Sequence, residues 1–192
     1  MKTATWAALA AATSTALTGF GALADAHATT VLRIQTHHAP ETPMGELATG
    51  YVESIQAMSN GEIQVEMFYS SSVVKTVEAF DAAATGILDC DMTGGSYQPG
   101  KNPAFQFVGD IMGGYDTPVQ QLTWLYDGGG LEAAQELYNA YDMQLIGWWV
   151  PGQESLSSTK PIAGLADMQN WKFRSPPGME TRILRSSAPR PW

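Results

Sequence analysis

Apolar and polar positions alternate first at Thr30–Thr36, TVLRIQT, where Val31, Leu32 and Ile34 stand among polar neighbours before His37-His38-Ala39-Pro40. That pattern predicts a strand running into a loop. From Pro43 the period lengthens: Met44, Leu47, Tyr51, Ile55 and Met58 recur at helical spacing until Asn60-Gly61, an amphipathic helix with a turn behind it. Glu62–Tyr69, EIQVEMFY, alternates again with Ile63, Val65 and Met67 on one side. A second strand, a helix over about Thr76–Thr85 and a short strand within ILDCDMTGGS complete a strand-helix-strand-helix-strand order. Right-handed crossovers then imply an α/β unit with a largely parallel sheet.

The segment Gly94–Pro118 is rich in Gly, Pro and aromatics and too irregular for one element. In open α/β sheets, loops of this kind at strand ends form ligand crevices. Two helices follow, in PVQQLTWLY and LEAAQELYNAY, parted by Gly128-Gly129-Gly130; then Met143–Val150, MQLIGWWV, predicts an apolar strand stopped by Pro151-Gly152. On such a strand Trp148 and Trp149 face opposite ways, so at most one is expected to reach a ligand while the other packs in a core.

Residues 1–24 break the pattern. Lys2 is followed by an Ala/Thr/Leu-rich run with no acid, and small-x-small sites allow cleavage after Ala24 or Ala28. This is the form of a secretory leader, and its run is too interrupted for a stop-transfer helix, so no stable membrane insertion of the mature chain is expected. The chain of 192 residues has 44% hydrophobic and 15% charged residues, as a globular protein does. Without Lys2 it carries 9 basic against 19 acidic residues, and no basic stripe suggests nucleic acid as a partner. Cys90 is the one cysteine, so no intrachain disulfide is available.

No nucleophile elbow, phosphate loop or zinc-protease motif is present, and no cofactor is implied. His37-His38, adjacent at a strand end, should point apart and lack a third metal ligand. Asp89 and Asp91 read as the end of one element and the start of the next rather than an ion site. An exported enzyme using His37, Asp89, Cys90 or Asp91 stays the alternative to a binding module. Near the end, Lys172-Phe173-Arg174 precedes Ser175-Pro176-Pro177-Gly178, which predicts a short strand presenting Arg174 before a rigid turn. A guanidinium matches a carboxylate through two parallel hydrogen bonds; spacing alone leaves Arg174 equally open to a solvated ion pair.

LRIQTHHAPETP, VEAFDAAATGILDCDMT, NPAF ahead of GD, and PIAGLADMQNWKFRSPPGM together resemble the solute-binding proteins of TRAP transporters, the DctP-like (C4-dicarboxylate-binding) family. The last stretch is similar to that family's P-I-x-x-x-x-D-L-x-G-x-K-x-R signature, with Met168 and Asn170 in place of Leu and Gly. The resemblance covers roughly Thr30 to Glu180. It implies a two-lobed periplasmic binding protein of α/β class with mostly parallel sheets, which closes over a small organic acid and delivers it to the membrane subunits of a TRAP transporter without catalysis. Arg174 then takes the place of the arginine that clamps the ligand carboxylate. Gln153, Glu154 and Trp149 become candidates to line the cleft from the second lobe, and Tyr97 and His37 from the first; Gln153 and Glu154 read equally well as a solvated loop.

The domain order expected is a leader at 1–24, an N-terminal lobe at 29–149 and the start of a second, incomplete lobe at 150–180. Residues 181–192, Arg/Ser/Pro-rich with no acid, are expected to continue a helix for one turn at most. They read as an aberrant tail, through a shifted frame or a premature end.

Overall fold

In the computed structural model, residues 29–109, 111, 114–150, 157–168, 172–175 and 177–187 are described; the leader and the Gln153-Glu154 pair lie outside them. Strand β1 (Thr30–Thr36) is central to a three-stranded parallel sheet of order β2-β1-β3, flanked by β2 (Ile63–Phe68) and β3 (Cys90–Met92). Register runs from Thr30 opposite Ile63 to Gln35 opposite Phe68 on one side, and from Ile34 opposite Cys90 to Thr36 opposite Met92 on the other. The expected α/β class and parallel pairing are both present.

Helix α1 (Pro43–Met58) joins β1 to β2 and begins where its sequence dictates. The Thr42 hydroxyl accepts from the Gly45 N–H at 3.1 Å, and Pro43 occupies the first turn, where no donor is missed. Beyond Ser59 the chain turns through Asn60 and Gly61, both at positive φ. The large apolar stripe of α1 is not its buried face, however. Gly45, Ala48 and Val52 are buried, while Leu47, Tyr51 and Met58 are exposed. Close approach selects the small residues: a Cβ at Gly45 would stand 2.0 Å from the Ala39 carbonyl oxygen.

From β2 the chain passes a 3-10 turn, Thr76–Glu78, into α2 (Ala79–Ala84) and then β3. Two further 3-10 turns, Gly95–Tyr97 and Pro103–Gln106, lead to α3 (Pro118–Asp127) and α4 (Gly130–Asn139). Thr117 and Gln120 close a reciprocal capping box on α3. Gly129, at φ 88°, makes the sharp reversal between the two helices. The core gathers Phe80 of α2, Phe105, Val108 and Ala134 of α4, with Tyr138, Tyr141, Met143, Leu145 and Trp148 packed against them. Phe105 meets Tyr138 edge-on at 5.1 Å and Phe80 at 5.4 Å, geometry that aromatic quadrupoles favour.

Three sequence expectations need correction. Met143–Val150 is extended but forms no strand among the described residues. Met143, Leu145 and Trp148 turn inward to the aromatic core and Ile146 is 74% exposed, so the apolar pattern reflects packing of a chain with no ladder partner. Lys172–Ser175 is likewise irregular. The tail, finally, does not lose its fold at Glu180: α5 runs over Met179–Ser187 for nine residues. Thr181 and Ser175 share a 2.7 Å hydroxyl hydrogen bond across the start of this helix. Gly178, at φ 100°, lies so close to Gln106 that a Cβ there would meet its Oε1 at 2.2 Å.

Gln35 fixes the carboxyl end of β1. Its fully buried amide donates to the Val74 carbonyl at 2.9 Å and accepts from the N–H groups of Val73 and Val74 at 2.8 and 3.0 Å. Replacing it with leucine strands three backbone groups. Gln35→Leu is expected to cost about 2–4 kcal/mol in urea unfolding, whereas Gln64→Ala, at an exposed position on β2, should stay within about 0.5 kcal/mol.

Candidate functional site

A parallel sheet ordered 2-1-3 has its crossovers diverging at the β1/β3 boundary, and ligands bind beyond the carboxyl ends of strands at such a switch point. His37 and His38 follow β1 directly, and Tyr97 lies in the 3-10 turn after β3. The Thr36 hydroxyl accepts from the His38 N–H at 3.4 Å, and the His38 carbonyl accepts from the Ser70 N–H at 3.0 Å. This bend overturns the expectation that the two histidines point apart: their ring centroids are 4.0 Å from each other. A pair of residues past the last ladder position no longer obeys the strand's alternation.

Around this pair the structure collects residues from distant parts of the chain. The Tyr97 ring stands edge-on to His37 at 5.4 Å, and the Trp149 ring edge-on to His38 at 5.7 Å. The Arg174 guanidinium donates through Nη2 to the Tyr97 hydroxyl at 3.3 Å. Because Tyr97 accepts that bond, its own O–H remains available to donate. Trp148, next to Trp149, turns the other way: its indole N–H donates to the Val108 carbonyl at 2.6 Å and its ring meets Tyr126 at 5.4 Å. Trp148 thus packs inward while Trp149 lies beside His38, on a segment with no ladder partner among the described residues.

Electrostatics are one-sided. His37 is pushed down to about 4, first by burial, then by His38 and Arg174; burial also lowers His38. Both imidazoles are therefore neutral at pH 7. Nδ1 of His37 is buried without a hydrogen-bond partner among the described residues. Arg174 is exposed, its fork open to solvent apart from Tyr97.

The acids and the thiol of the enzyme alternative stand elsewhere. Asp89 binds Arg33 through the backbone N–H at 2.8 Å and the guanidinium at 3.0 and 3.3 Å, and Arg33 holds its carboxyl below the usual range. Burial, with Asp89 and Asp91 nearby, pushes the Cys90 thiol up. That keeps it protonated rather than nucleophilic. Asp91 is raised to about 6 by burial, with Thr93 opposing the rise, and one of its oxygens lacks a partner among the described residues. Its charge acts on Tyr138, lifted to about 12 mainly by its own burial, beneath the aromatic core.

The family model of bacterial extracellular solute-binding proteins, family 7 (DctP), matches residues 34–185. The chain belongs to this family. The match runs from within β1 into α5, so five residues assigned by sequence to an aberrant tail fall inside the DctP pattern. A curated relative, a monocarboxylate 2-oxoacid-binding periplasmic protein of Nostoc, is 29% identical over 132 residues, 64% of this chain and 34% of that protein. Among solved structures, a TRAP periplasmic solute-binding protein of Rhodobacter sphaeroides, in an apo open form, is 30% identical with a TM-score of 0.64 over 82% of this chain and 50% of its own. One from Pseudomonas aeruginosa with bound L-malate has a TM-score of 0.70 at 17% identity, over 83% of this chain and 55% of that chain. This DctP chain therefore spans about a third of the curated relative and about half of each solved structure. No described helix is long and apolar enough to cross a membrane.

Sequence reasoning missed His38 as a neighbour of Trp149. The dipeptide was visible, but the bend that aligns its rings is set by Thr36 and Ser70. It also gave Asp91 no distinct environment. Asp91 binds its proton more tightly folded than unfolded, so its stabilising contribution is complete below about pH 4 and is lost as pH rises through about 6. His37 contributes in the opposite sense, its stabilisation present above about pH 6.5 and lost as pH falls through about 4. In urea unfolding across this range, Asp91→Asn should gain stability relative to the natural chain by roughly 2 kcal/mol between pH 4 and pH 7. A difference that stays flat with pH would contradict the assignment.

Proposed function

We propose that this chain forms the carboxylate-recognising part of a periplasmic receptor that binds a small organic acid for a TRAP-type transporter and performs no catalysis. The observation that carries the reading is the contact of Arg174 with Tyr97 beside the His37–His38 pair, at the β1/β3 switch point. One permanent cation with an open guanidinium fork suits a carboxylate. The free Tyr97 O–H suits an oxygen on the neighbouring carbon. Trp149 and His38 offer flat apolar surface to the remainder of a small ligand.

Family membership and the Nostoc relative's binding of monocarboxylate 2-oxoacids support this class of ligand. Pyruvate is its simplest representative. Delivery to the membrane subunits of a transporter, and export by the leader at 1–24 or 1–28, belong to the same proposal. So does the division into an N-terminal lobe at 29–149 and a second lobe from 150, which α5 extends past Glu180. The exported-enzyme alternative loses ground because Asp89 is engaged by Arg33 and Cys90 is held as a thiol; among the described residues of the site no nucleophile is paired with a base.

Calorimetric titration with pyruvate tests the reading. Arg174→Ala should weaken binding by about 2–5 kcal/mol, because the ligand carboxylate loses its charged partner. Arg174→Lys should recover only part of this loss, since a point charge lacks the fork. Tyr97→Phe should cost about 0.5–1.5 kcal/mol. Unchanged affinity in Arg174→Ala would remove the clamp.

A further inference from the structure

The described part of the site holds one fixed cation, Arg174, and two stacked imidazoles whose centroids are 4.0 Å apart. The groups facing the pair are few. From the irregular segment 172–175 comes Arg174, from the 3-10 turn 95–97 comes Tyr97, and from the segment 143–150 comes the neutral Trp149. The loop after β2 reaches His38 only through the Ser70 backbone. Among the described residues, no acidic side chain contributes to the state of either imidazole. Of the acids on and beside β3, Asp89 is paired with Arg33, and Asp91 is buried with its charge acting on Tyr138. Two bases are therefore packed beside a cation, with no acid among the described residues paired to either, although the chain as a whole carries a net charge of −9.

An anion is the missing counterpart. A monocarboxylate on Arg174 neutralises the one fixed charge and leaves the imidazoles neutral. A second negative group placed against His37 and His38 removes the reason they are held unprotonated, since an opposite charge in contact favours the charged form. We propose that the His37–His38 pair is a proton-gated second anion contact: at neutral pH the site selects monocarboxylates, and it accepts a dianion only by taking up a proton on this pair. The inference rests on the carboxylate reading of Arg174 and adds to it the charge class of the ligand and its dependence on pH.

The balance is simple. Free protein with neutral imidazoles, a dianionic ligand and one proton from solvent give a complex with one imidazolium. If the dianion raises the pair's affinity for a proton by about two pKa units from the value near 4, its binding should tighten about tenfold between about pH 7.5 and about pH 5.

The test compares pyruvate with sulfoacetate, whose sulfonate keeps the second charge throughout this range. Titration calorimetry on the full chain, in buffers of differing ionisation enthalpy, reads affinity and proton uptake together. The expected result is a pyruvate-to-sulfoacetate affinity ratio that falls about tenfold from about pH 7.5 to about pH 5. Uptake should approach one proton per sulfoacetate at the lower pH and be smaller for pyruvate. His37→Gln should abolish the proton uptake that accompanies sulfoacetate binding. Histidine proton resonances, followed through a pH titration with and without sulfoacetate and assigned with His37→Gln and His38→Gln, should shift their midpoints upward on binding. Sulfoacetate binding with no proton uptake and unmoved histidine midpoints overturns the gate and leaves the carboxylate reading intact. Failure of both ligands to bind at either pH overturns both.

Discussion

A buried carboxamide at the end of the central strand governs the rest of the lobe. Gln35 is wholly inaccessible and holds Val73 and Val74 through both ends of its amide, tying the connection after β2 to the strand beside it. Thr36, equally buried, completes the same junction: its carbonyl accepts from Ser71 and its hydroxyl from the His38 N–H. Neutral hydrogen bonds of this kind are worth little individually, but each partner left unmet in the interior is costly. The strand therefore cannot slip, and the chain leaving it must bend at the same place. That bend puts His37 and His38 side by side.

Global and local charge oppose each other here. A chain of net charge −9 repels anions at long range, yet charges on exposed surfaces are largely screened beyond roughly 8–10 Å in physiological salt. Beside the histidines stand the Tyr97 and Trp149 rings, with Arg174 bonded to Tyr97. The acids closest in sequence to the site are held by different means, Asp89 in an ion pair with Arg33 and Asp91 in a buried setting that raises it to about 6. Short-range chemistry thus decides which ligands remain, while the outer charge contributes solubility.

Periodicity made the first half of the fold legible. TVLRIQT and EIQVEMFY became β1 and β2, the Pro43 run became α1, and the glycine triplet separated α3 from α4. Failures arose where the cause was non-local. MQLIGWWV has every mark of a strand, but a strand requires a neighbour, and the segment packs on aromatic rings instead. The stripe on α1 misled because Gly45 and Ala48, weak signals in any hydrophobicity pattern, are the residues small enough to approach the β1-to-α1 loop. Arg/Ser-rich composition concealed α5, whose start is fixed by Gly178 against Gln106 and by the Ser175–Thr181 bond. For the site, a family resemblance singled out Arg174, Tyr97, His37, Trp149, Gln153 and Glu154; the folded chain brings Arg174, Tyr97 and Trp149 around the His37–His38 pair, and Gln153 and Glu154 lie outside the described residues. The part played by His38 could not be read, because it depends on a bend set by two other segments.

A common arrangement explains how such a site keeps its shape without a continuous scaffold beneath it. Each residue proposed to face the ligand is a near neighbour in sequence of one that is buried or held by a hydrogen bond. His37 follows Thr36; Tyr97 precedes the buried Gln98; Trp149 follows Trp148, which is anchored to the Val108 carbonyl; Arg174 precedes Ser175, bonded to Thr181. Loops ordinarily lose conformational entropy when they grip a ligand, and preorganisation lowers that cost. Under the proposed reading the loss is met during folding, through contacts made by the neighbouring residues rather than by the imidazoles, the phenol and the guanidinium themselves. Disturbing any anchor should therefore misplace a recognition group while removing none of its chemistry, since sites held by a supporting shell tolerate displacements of only about half an ångström.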